Sequence, residues 1–188
     1  AAVHDMKRAR KMLHQGVIRP NYKFVIRPKF PDVLRWFGDV RTRLAKGTLL
    51  SSTDIETRAG HIACIGFAFD RTEAICIPFM CTERADGYWT FEEELYIWKE
   101  LRFILSHPNF KIIGQNWLYD SQYLYRFNFV KTVPFWDTMI AHHCMLPGTP
   151  KGLDYLSSLY CDYHVYWKDD GKHWDPKIHD EESFWFYN

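Results

Sequence analysis

Two acidic residues that lie close together in the sequence have the spacing that binding of a divalent cation requires. Asp54 and Glu56 are two positions apart at the end of residues 48–56, which we predict to be a β-strand. On a strand both carboxylates project from the same face, and carboxylates are the oxygen ligands that hard divalent cations prefer. Taken alone, the pair has an ordinary alternative, in which one carboxylate lies at a turn and the other in solvent.

A third carboxylate follows the end of a second predicted strand. Residues 111–114 are a short buried strand, Asn116 comes shortly after it, and Asp120 lies at the start of the predicted helix 119–127. The helix dipole stabilises an acidic residue in the first turn. Helix capping is therefore the structural alternative to metal binding for Asp120.

The order of the predicted elements is that of an α/β domain. Thr90 and Glu93 form a capping box that begins one helix, and Asp137 is expected to cap the start of another helix. The segment 21–31 is predicted to be extended and interrupted by prolines. The predicted strands are residues 48–56, 61–69, 74–79 and 111–114, of which the first three are predicted to form an antiparallel meander. The predicted helices are residues 1–20, 32–45, 90–106, 119–127, 137–146 and 153–160.

Three segments of the chain resemble, in their order, the motifs of the DEDD 3′→5′ exonucleases. Residues 53–57 match Asp-x-Glu, residues 114–120 match Asn-x-x-x-Asp, and residues 184–188 begin Tyr-x-x-x-Asp. The chain is thus similar to the proofreading exonuclease domain of a family A, DNA polymerase I-like DNA polymerase of the phage type. The resemblance implies a ribonuclease H-like mixed sheet flanked by helices.

The same resemblance implies an active site with two Mg²⁺ or Mn²⁺ ions. Asp54 would bridge the two ions, Glu56 would complete the site that carries the attacking water, and Asp120 would serve the second ion. Gln115 and Asn116 would contact the terminal nucleotide. Metal-assisted hydrolysis of this kind needs one ion to activate the water and another to neutralise the leaving oxygen.

The position of the third motif is the least specific part of the resemblance. Tyr187 begins Tyr-x-x-x-Asp, and its Asp would fall beyond Asn188, so we expect a fragment cut before its fourth carboxylate and weak or inactive by itself. Tyr166–Asp170 and His164–Asp169 also have motif-like spacing. Those two lie in a polar, glycine-containing stretch typical of a loop, and we therefore favour Tyr187, which fits the start of a helix.

Charge and cysteine usage limit the classes of protein that remain. Net charge is +1, but residues 1–50 carry 12 Lys and Arg against 3 Asp and Glu, and residues 51–188 carry 12 against 20. This favours a basic lead-in segment, residues 1–47, before an exonuclease domain, residues 48–188. The five cysteines include no Cys-x-x-Cys, which argues against a zinc site or a disulfide framework.

The expected partners are a single-stranded DNA 3′ end and the polymerase domain of the same parent chain. We expect no membrane association and a cytoplasmic location, which is the bacterial host cytoplasm if the protein is phage-encoded. Two alternatives stay open: a free-standing RNA exonuclease similar to ribonuclease D, and a catalytically weak DNA-binding scaffold domain. The aromatic residues Trp117 and Tyr123 are candidates for base stacking, with core packing as the simpler prediction for both.

Overall fold

A computed structural model describes residues 2–16, 20–81, 84, 87–161 and 163 of the chain. The chain divides into two compact units, of which the first is Lys23–Thr138 and the second combines the described residues of Ala1–Tyr22 and Met139–Asn188. No helix in the described ranges is long and apolar enough to cross a membrane. The predicted residues Tyr187, Tyr166–Asp170 and His164–Asp169 lie outside the described residues.

The first unit is built on a mixed sheet of six strands, in the order β1-β4-β3-β2-β5-β6. The antiparallel meander predicted from the sequence is confirmed as β2-β3-β4, while β5 pairs parallel to β2. The sequence did not predict β1 and β6, which are the two edges of the sheet. The strands are β1 Lys23–Val25, β2 Leu49–Arg58, β3 His61–Ala68, β4 Glu73–Pro78, β5 Phe110–Gly114 and β6 Trp136–Asp137.

All six predicted helices are present. The capping box of α3 is formed as expected, because the Thr90 hydroxyl accepts from the Glu93 N–H at 3.3 Å and the Glu93 carboxylate accepts from the Thr90 N–H at 3.0 Å. The helices are α1 Ala2–Gln15, α2 Phe30–Lys46, α3 Phe91–Leu105, α4 Trp117–Asn128, α5 Thr138–Met145 and α6 Leu153–Tyr160.

The hydrophobic core of the first unit lies between the sheet and the helices α2 and α3. The segment expected to be a basic lead-in contributes to this unit, because β1 pairs with β4 and α2 supplies core residues. The Arg41 guanidinium on α2 bonds both carboxylate oxygens of Glu100 on α3, at 2.7 and 2.9 Å. The buried helix side chains are Val33, Phe37, Val40 and Leu44 on α2, and Ile97, Leu101, Ile104 and Leu105 on α3.

Strand β2 separates this core from the predicted catalytic residues. Thr53 and Ile55 are buried, whereas the side chains of Asp54 and Glu56 are exposed, as alternation along a strand requires. The parallel pairing of β2 with β5 runs only from Leu49 to Ser52. Asp54 and Glu56 therefore lie beyond the last residue of β2 that pairs with β5.

In the second unit the environment of His142 on α5 is structural. His142 is buried, and its two ring nitrogens bond the Tyr160 hydroxyl at 2.9 Å and the Thr149 hydroxyl at 2.7 Å. Thr149 Oγ1 donates to the Leu146 carbonyl at 2.8 Å, so it accepts the bond from His142 Nε2–H. Both ring nitrogens of His142 thus have hydrogen-bond partners within the second unit.

We predict that Gly114→Ala destabilises the first unit, because a Cβ at this position would lie 2.6 Å from Cε3 of the buried Trp117 ring. Trp117 is held on its other side by the bond from Nε1 to Thr132 Oγ1 at 3.1 Å. Overpacking of this kind costs about 1–3 kcal/mol, measurable as a lower free energy of unfolding in urea.

Gly38→Ala is the matched control, since a Cβ there would meet nothing within 4 Å in the middle of α2. Replacing an exposed helical glycine by alanine should stabilise the protein by roughly 0.5–1 kcal/mol. Equal effects of the two substitutions would contradict the close packing of Gly114 against Trp117.

Candidate active site

The site is organised by a hydrogen bond between α4 and β2. The Asp120 carboxylate accepts from the Ile55 backbone N–H at 2.9 Å, and Asp120 is buried, with 2% of its surface exposed. This N–H belongs to the residue between Asp54 and Glu56, in the part of β2 that β5 does not cover. The carboxylate thus takes the place of a strand acceptor and holds the first turn of α4 against the first pair of acidic residues.

Asp120 and Asp54 lie close enough for each to affect the protonation of the other. Burial, with the nearby Asp54 charge as the second cause, raises the pKa of Asp120 from 3.8 to about 7. A hydrogen bond with Asp54 acts in the same direction, and the bond from the Ile55 N–H opposes it. Two carboxylates in this situation cannot both ionise readily, and a cation placed between them would relieve the repulsion.

Glu56 lies at an irregularity in the sheet. Its backbone pairs with Cys64 and that of Thr57 pairs with Ile62, so Ala63 on β3 has no partner on β2. Such bulges bend a strand and re-aim its side chains, and they are frequent beside active sites. Glu56 is also close to the buried Cys64 thiol, whose pKa is raised chiefly by its hydrogen bond with Cys76 and by burial.

The turn from β5 into α4 carries Gln115 and Asn116. Asn116 has left-handed backbone angles, φ 56° and ψ 46°, and its side chain does not cap the helix. The Asp137 carboxylate does so instead: Oδ1 accepts from the Asn116 N–H at 3.2 Å and Oδ2 from the Trp117 N–H at 2.8 Å. Asp137 was expected to cap the helix predicted at residues 137–146, but its carboxylate caps the start of α4 instead.

The aromatic residues of α4 divide between the core and the surface. Trp117 is 1% exposed and belongs to the core, as the simpler prediction stated. Tyr123 is half-buried and packs against the core, with its ring centroid 5.0 Å from that of Tyr119. The Tyr119 hydroxyl bonds the Thr57 hydroxyl at 2.6 Å, which is a second link between α4 and the end of β2.

Sequence reasoning missed several residues that build this site. Tyr119 and Thr57 flank Asp120 and Glu56 in the sequence, and this adjacency was the only local signal for them. Thr138 was not singled out either, although its hydroxyl donates to the Gly114 carbonyl at 3.1 Å and bonds the Gln115 side chain. These contacts join residues from different elements, and no spacing rule within one element predicts them.

The arrangement suits a divalent cation in its donor chemistry. Asp54 and Asp120 bring two carboxylates together, and Glu56 is on the same face of β2 as Asp54. Within the part of the chain that the structure describes, no group of three or more His, Cys, Asp or Glu side chains is arranged to hold a metal ion. The described residues thus provide a carboxylate pair with a third carboxylate nearby.

A six-stranded mixed sheet flanked by helices is the predicted ribonuclease H-like fold, and the predicted fold class is confirmed. Residues 43–184 match the 3′-5′ exonuclease family, and the chain belongs to that family. Members of this family generally use divalent metals.

The relatives include one curated protein and several solved structures. DNA polymerase I of Borreliella burgdorferi is 29% identical over 109 residues, which are 58% of this chain and 11% of that relative's length. The Aedes aegypti Nibbler EXO domain has a TM-score of 0.58 at 12% identity, covering 90% of this chain and 83% of that one. Escherichia coli RNase D, an exoribonuclease involved in structured RNA processing, has a TM-score of 0.55 at 16% identity, covering 89% of this chain and 40% of that one.

We predict that Asp120→Asn stabilises the metal-free protein at pH 8. The raised pKa of Asp120, about 7, means that its contribution to stability is present below pH 4 and is lost as the pH rises through 7. The amide keeps an oxygen for the Ile55 N–H but cannot ionise. The gain in free energy of unfolding should reach up to about 4 kcal/mol at pH 8 and decrease towards pH 4, as measured by urea titration in EDTA.

Asp70→Asn is the control, for which we expect a change of opposite sign in the free energy of unfolding at pH 8. The pKa of Asp70 is lowered, chiefly by backbone N–H bonds from Thr72 and Glu73, so its contribution is present at high pH and is lost on acidification. This substitution should therefore destabilise the protein at pH 8. If Asp120→Asn also destabilised the protein at pH 8, the interpretation of Asp120 as a strained buried carboxylate would be wrong.

Proposed function

We propose that this chain removes nucleotides from DNA 3′ ends by two-metal-ion phosphodiester hydrolysis, as the proofreading part of a family A DNA polymerase of the phage type. The observation that carries the proposal is the buried Asp120 carboxylate, held against Asp54 by the Ile55 N–H in a chain of the exonuclease family. A pair of carboxylates that destabilise each other without a cation is expected at a metal-dependent site.

The proposed roles follow the three motifs. Asp54 would bridge two Mg²⁺ or Mn²⁺ ions, Glu56 would act at the ion that carries the attacking water, and Asp120 would hold the second ion. When bound, such ions lower the pKa of the water and neutralise the leaving 3′-oxygen. On the motif resemblance, Gln115 and Asn116 would contact the terminal nucleotide; the Asp137 carboxylate holds the backbone N–H of Asn116 at the start of α4.

The choice of DNA as substrate is supported by the relative that is a DNA polymerase I, although the matched stretch is only 11% of its length. On this proposal the partners are a single-stranded 3′ end and a polymerase domain in the same parent chain, in the cytoplasm. The likeness to RNase D concerns the fold. RNA as a substrate is therefore a possible outcome of the test below.

We predict that a 5′-labelled single-stranded DNA oligonucleotide gives a ladder that shortens from the 3′ end when it is incubated with Mg²⁺ or Mn²⁺ and the chain extended beyond Asn188 to include the expected fourth carboxylate. Asp54→Asn should lower the rate by more than the 10- to 100-fold typical of residues that act only behind a metal ligand. Asp70→Asn, which removes a carboxylate from the turn between β3 and β4, should leave the rate unchanged.

The result also separates the alternatives. Degradation of RNA but not DNA would replace the proofreading role by a ribonuclease D-like role. Oligonucleotide binding without any cleavage, with the same affinity in the wild type and in Asp54→Asn, would indicate a DNA-binding scaffold domain.

The third motif has its own test, because we propose that Tyr187 orients the attacking water. Tyr187→Phe should lower kcat by roughly 10- to 100-fold, whereas Tyr166→Phe should leave it unchanged. The reverse result would place the motif at Tyr166–Asp170. A loss of Mn²⁺ affinity in Asp169→Asn or Asp170→Asn would identify the last carboxylate.

A further inference from the structure

The start of α4 is capped from outside its own segment. Helices leave their first backbone N–H groups without partners inside the helix. Here the two N–H groups of Asn116 and Trp117 both donate to Asp137, at 3.2 and 2.8 Å, and Asp137 has only 8% of its surface exposed. One carboxylate on strand β6 thus holds two successive backbone groups in the turn that follows strand β5.

This turn has a backbone conformation that needs support. Asn116 has φ 56° and ψ 46°, in the left-handed region that a residue with a Cβ adopts less readily than glycine does. The Asn116 side chain makes no capping bond of its own. The bonds to Asp137 therefore favour this conformation, and Thr138 supports the same turn through the Gly114 carbonyl and the Gln115 side chain.

The orientation of this turn decides where Asp120 lies. Asn116 and Asp120 are four positions apart, slightly more than one helical turn. A rotation of the first turn of α4 would carry the Asp120 carboxylate away from the Ile55 N–H, which it now meets at 2.9 Å, and away from Asp54. The contacts of Asp137 thus act on the same turn that supplies a predicted metal ligand.

We propose that Asp137 is a positioning residue of the exonuclease site: its carboxylate sets the turn at Asn116 and thereby orients Asp120 against Asp54. The inference rests on the proposed function. Asp137 touches neither metal nor substrate in this role. The competing explanation is that Asp137 stabilises α4 as any N-terminal cap does, without effect on the site.

The test compares Asp137→Asn with Asp70→Asn, because each substitution removes a carboxylate that accepts from two backbone N–H groups. Asparagine retains one acceptor oxygen and places an amide group where the second acceptor was. The free energy of unfolding is measured by urea titration. The affinity for Mn²⁺, by calorimetry, and the rate of DNA cleavage at low and saturating oligonucleotide are measured well below the unfolding transition.

We expect Asp137→Asn to weaken Mn²⁺ binding by 10- to 100-fold, the range typical of residues that orient a metal ligand, and to lower kcat at saturating oligonucleotide. Asp70→Asn should change Mn²⁺ affinity and kcat by less than about twofold, because Asp70 does not orient a residue that holds the metal. This expectation holds even if Asp70→Asn lowers the free energy of unfolding. Equal Mn²⁺ affinities and equal kcat values in the two variants would overturn the proposal and leave Asp137 as a cap only.

A rescue experiment distinguishes positioning from a direct effect of the Asp137 charge. Glycine adopts left-handed angles without the Cβ penalty, so Asn116→Gly added to Asp137→Asn should recover part of the lost Mn²⁺ affinity. Recovery supports the proposal, and the absence of recovery overturns it, because the carboxylate would then act on the site by its charge.

The failure of this inference can be told from the failure of the proposed function. If the wild-type chain, extended to include the expected fourth carboxylate, neither binds Mn²⁺ nor cleaves DNA, the proposed function is wrong and the inference falls with it. If the wild type does both and Asp137→Asn behaves like Asp70→Asn, the inference alone is wrong.

Discussion

The structure of the site depends on one hydrogen bond, from the backbone N–H of Ile55 to the buried carboxylate of Asp120. It occurs where β5 has ended and β2 continues, so a side chain supplies the acceptor that a neighbouring strand would otherwise supply. The same bond holds Asp120 in a buried position close to Asp54, and burial, followed by the Asp54 charge, raises the pKa of Asp120. A contact that completes the sheet thereby also creates the unfavourable pair of carboxylates.

Packing elsewhere in the first unit compensates for the unfavourable free energy of placing Asp120 close to Asp54. On one face of the sheet, α2 and α3 bury a continuous apolar core, and the bidentate Arg41–Glu100 pair joins the two helices. Alternation along β2 places Asp54 on the opposite face from Ile55. Helix α4, which carries Asp120, is itself anchored in this core by Trp117 and Leu124. The apolar packing therefore offsets the cost of the charge arrangement in the site.

Local patterns predicted most of the fold. The helices, the meander β2-β3-β4 and the capping box of Thr90 and Glu93 were predicted because periodicity, turn residues and caps act over a few neighbouring positions. The strands β1 and β6 were not predicted. They are three and two residues long, too short for a periodic signal, and each is a strand because of its parallel pairing with β4 or β5.

The sequence by itself determined the types and order of the acidic residues, their placement at strand and helix ends, and the resemblance to 3′→5′ exonucleases, which the family match over residues 43–184 confirms. Only the tertiary structure decided that Asp120 meets the Ile55 N–H, that Tyr119 meets Thr57, and that Asp137 caps α4 from another strand. The physical reason is the separation along the chain of the residues that interact. Side-chain direction on a strand or helix follows from local geometry, whereas these contacts join residues far apart in the chain and exist only once the sheet has assembled.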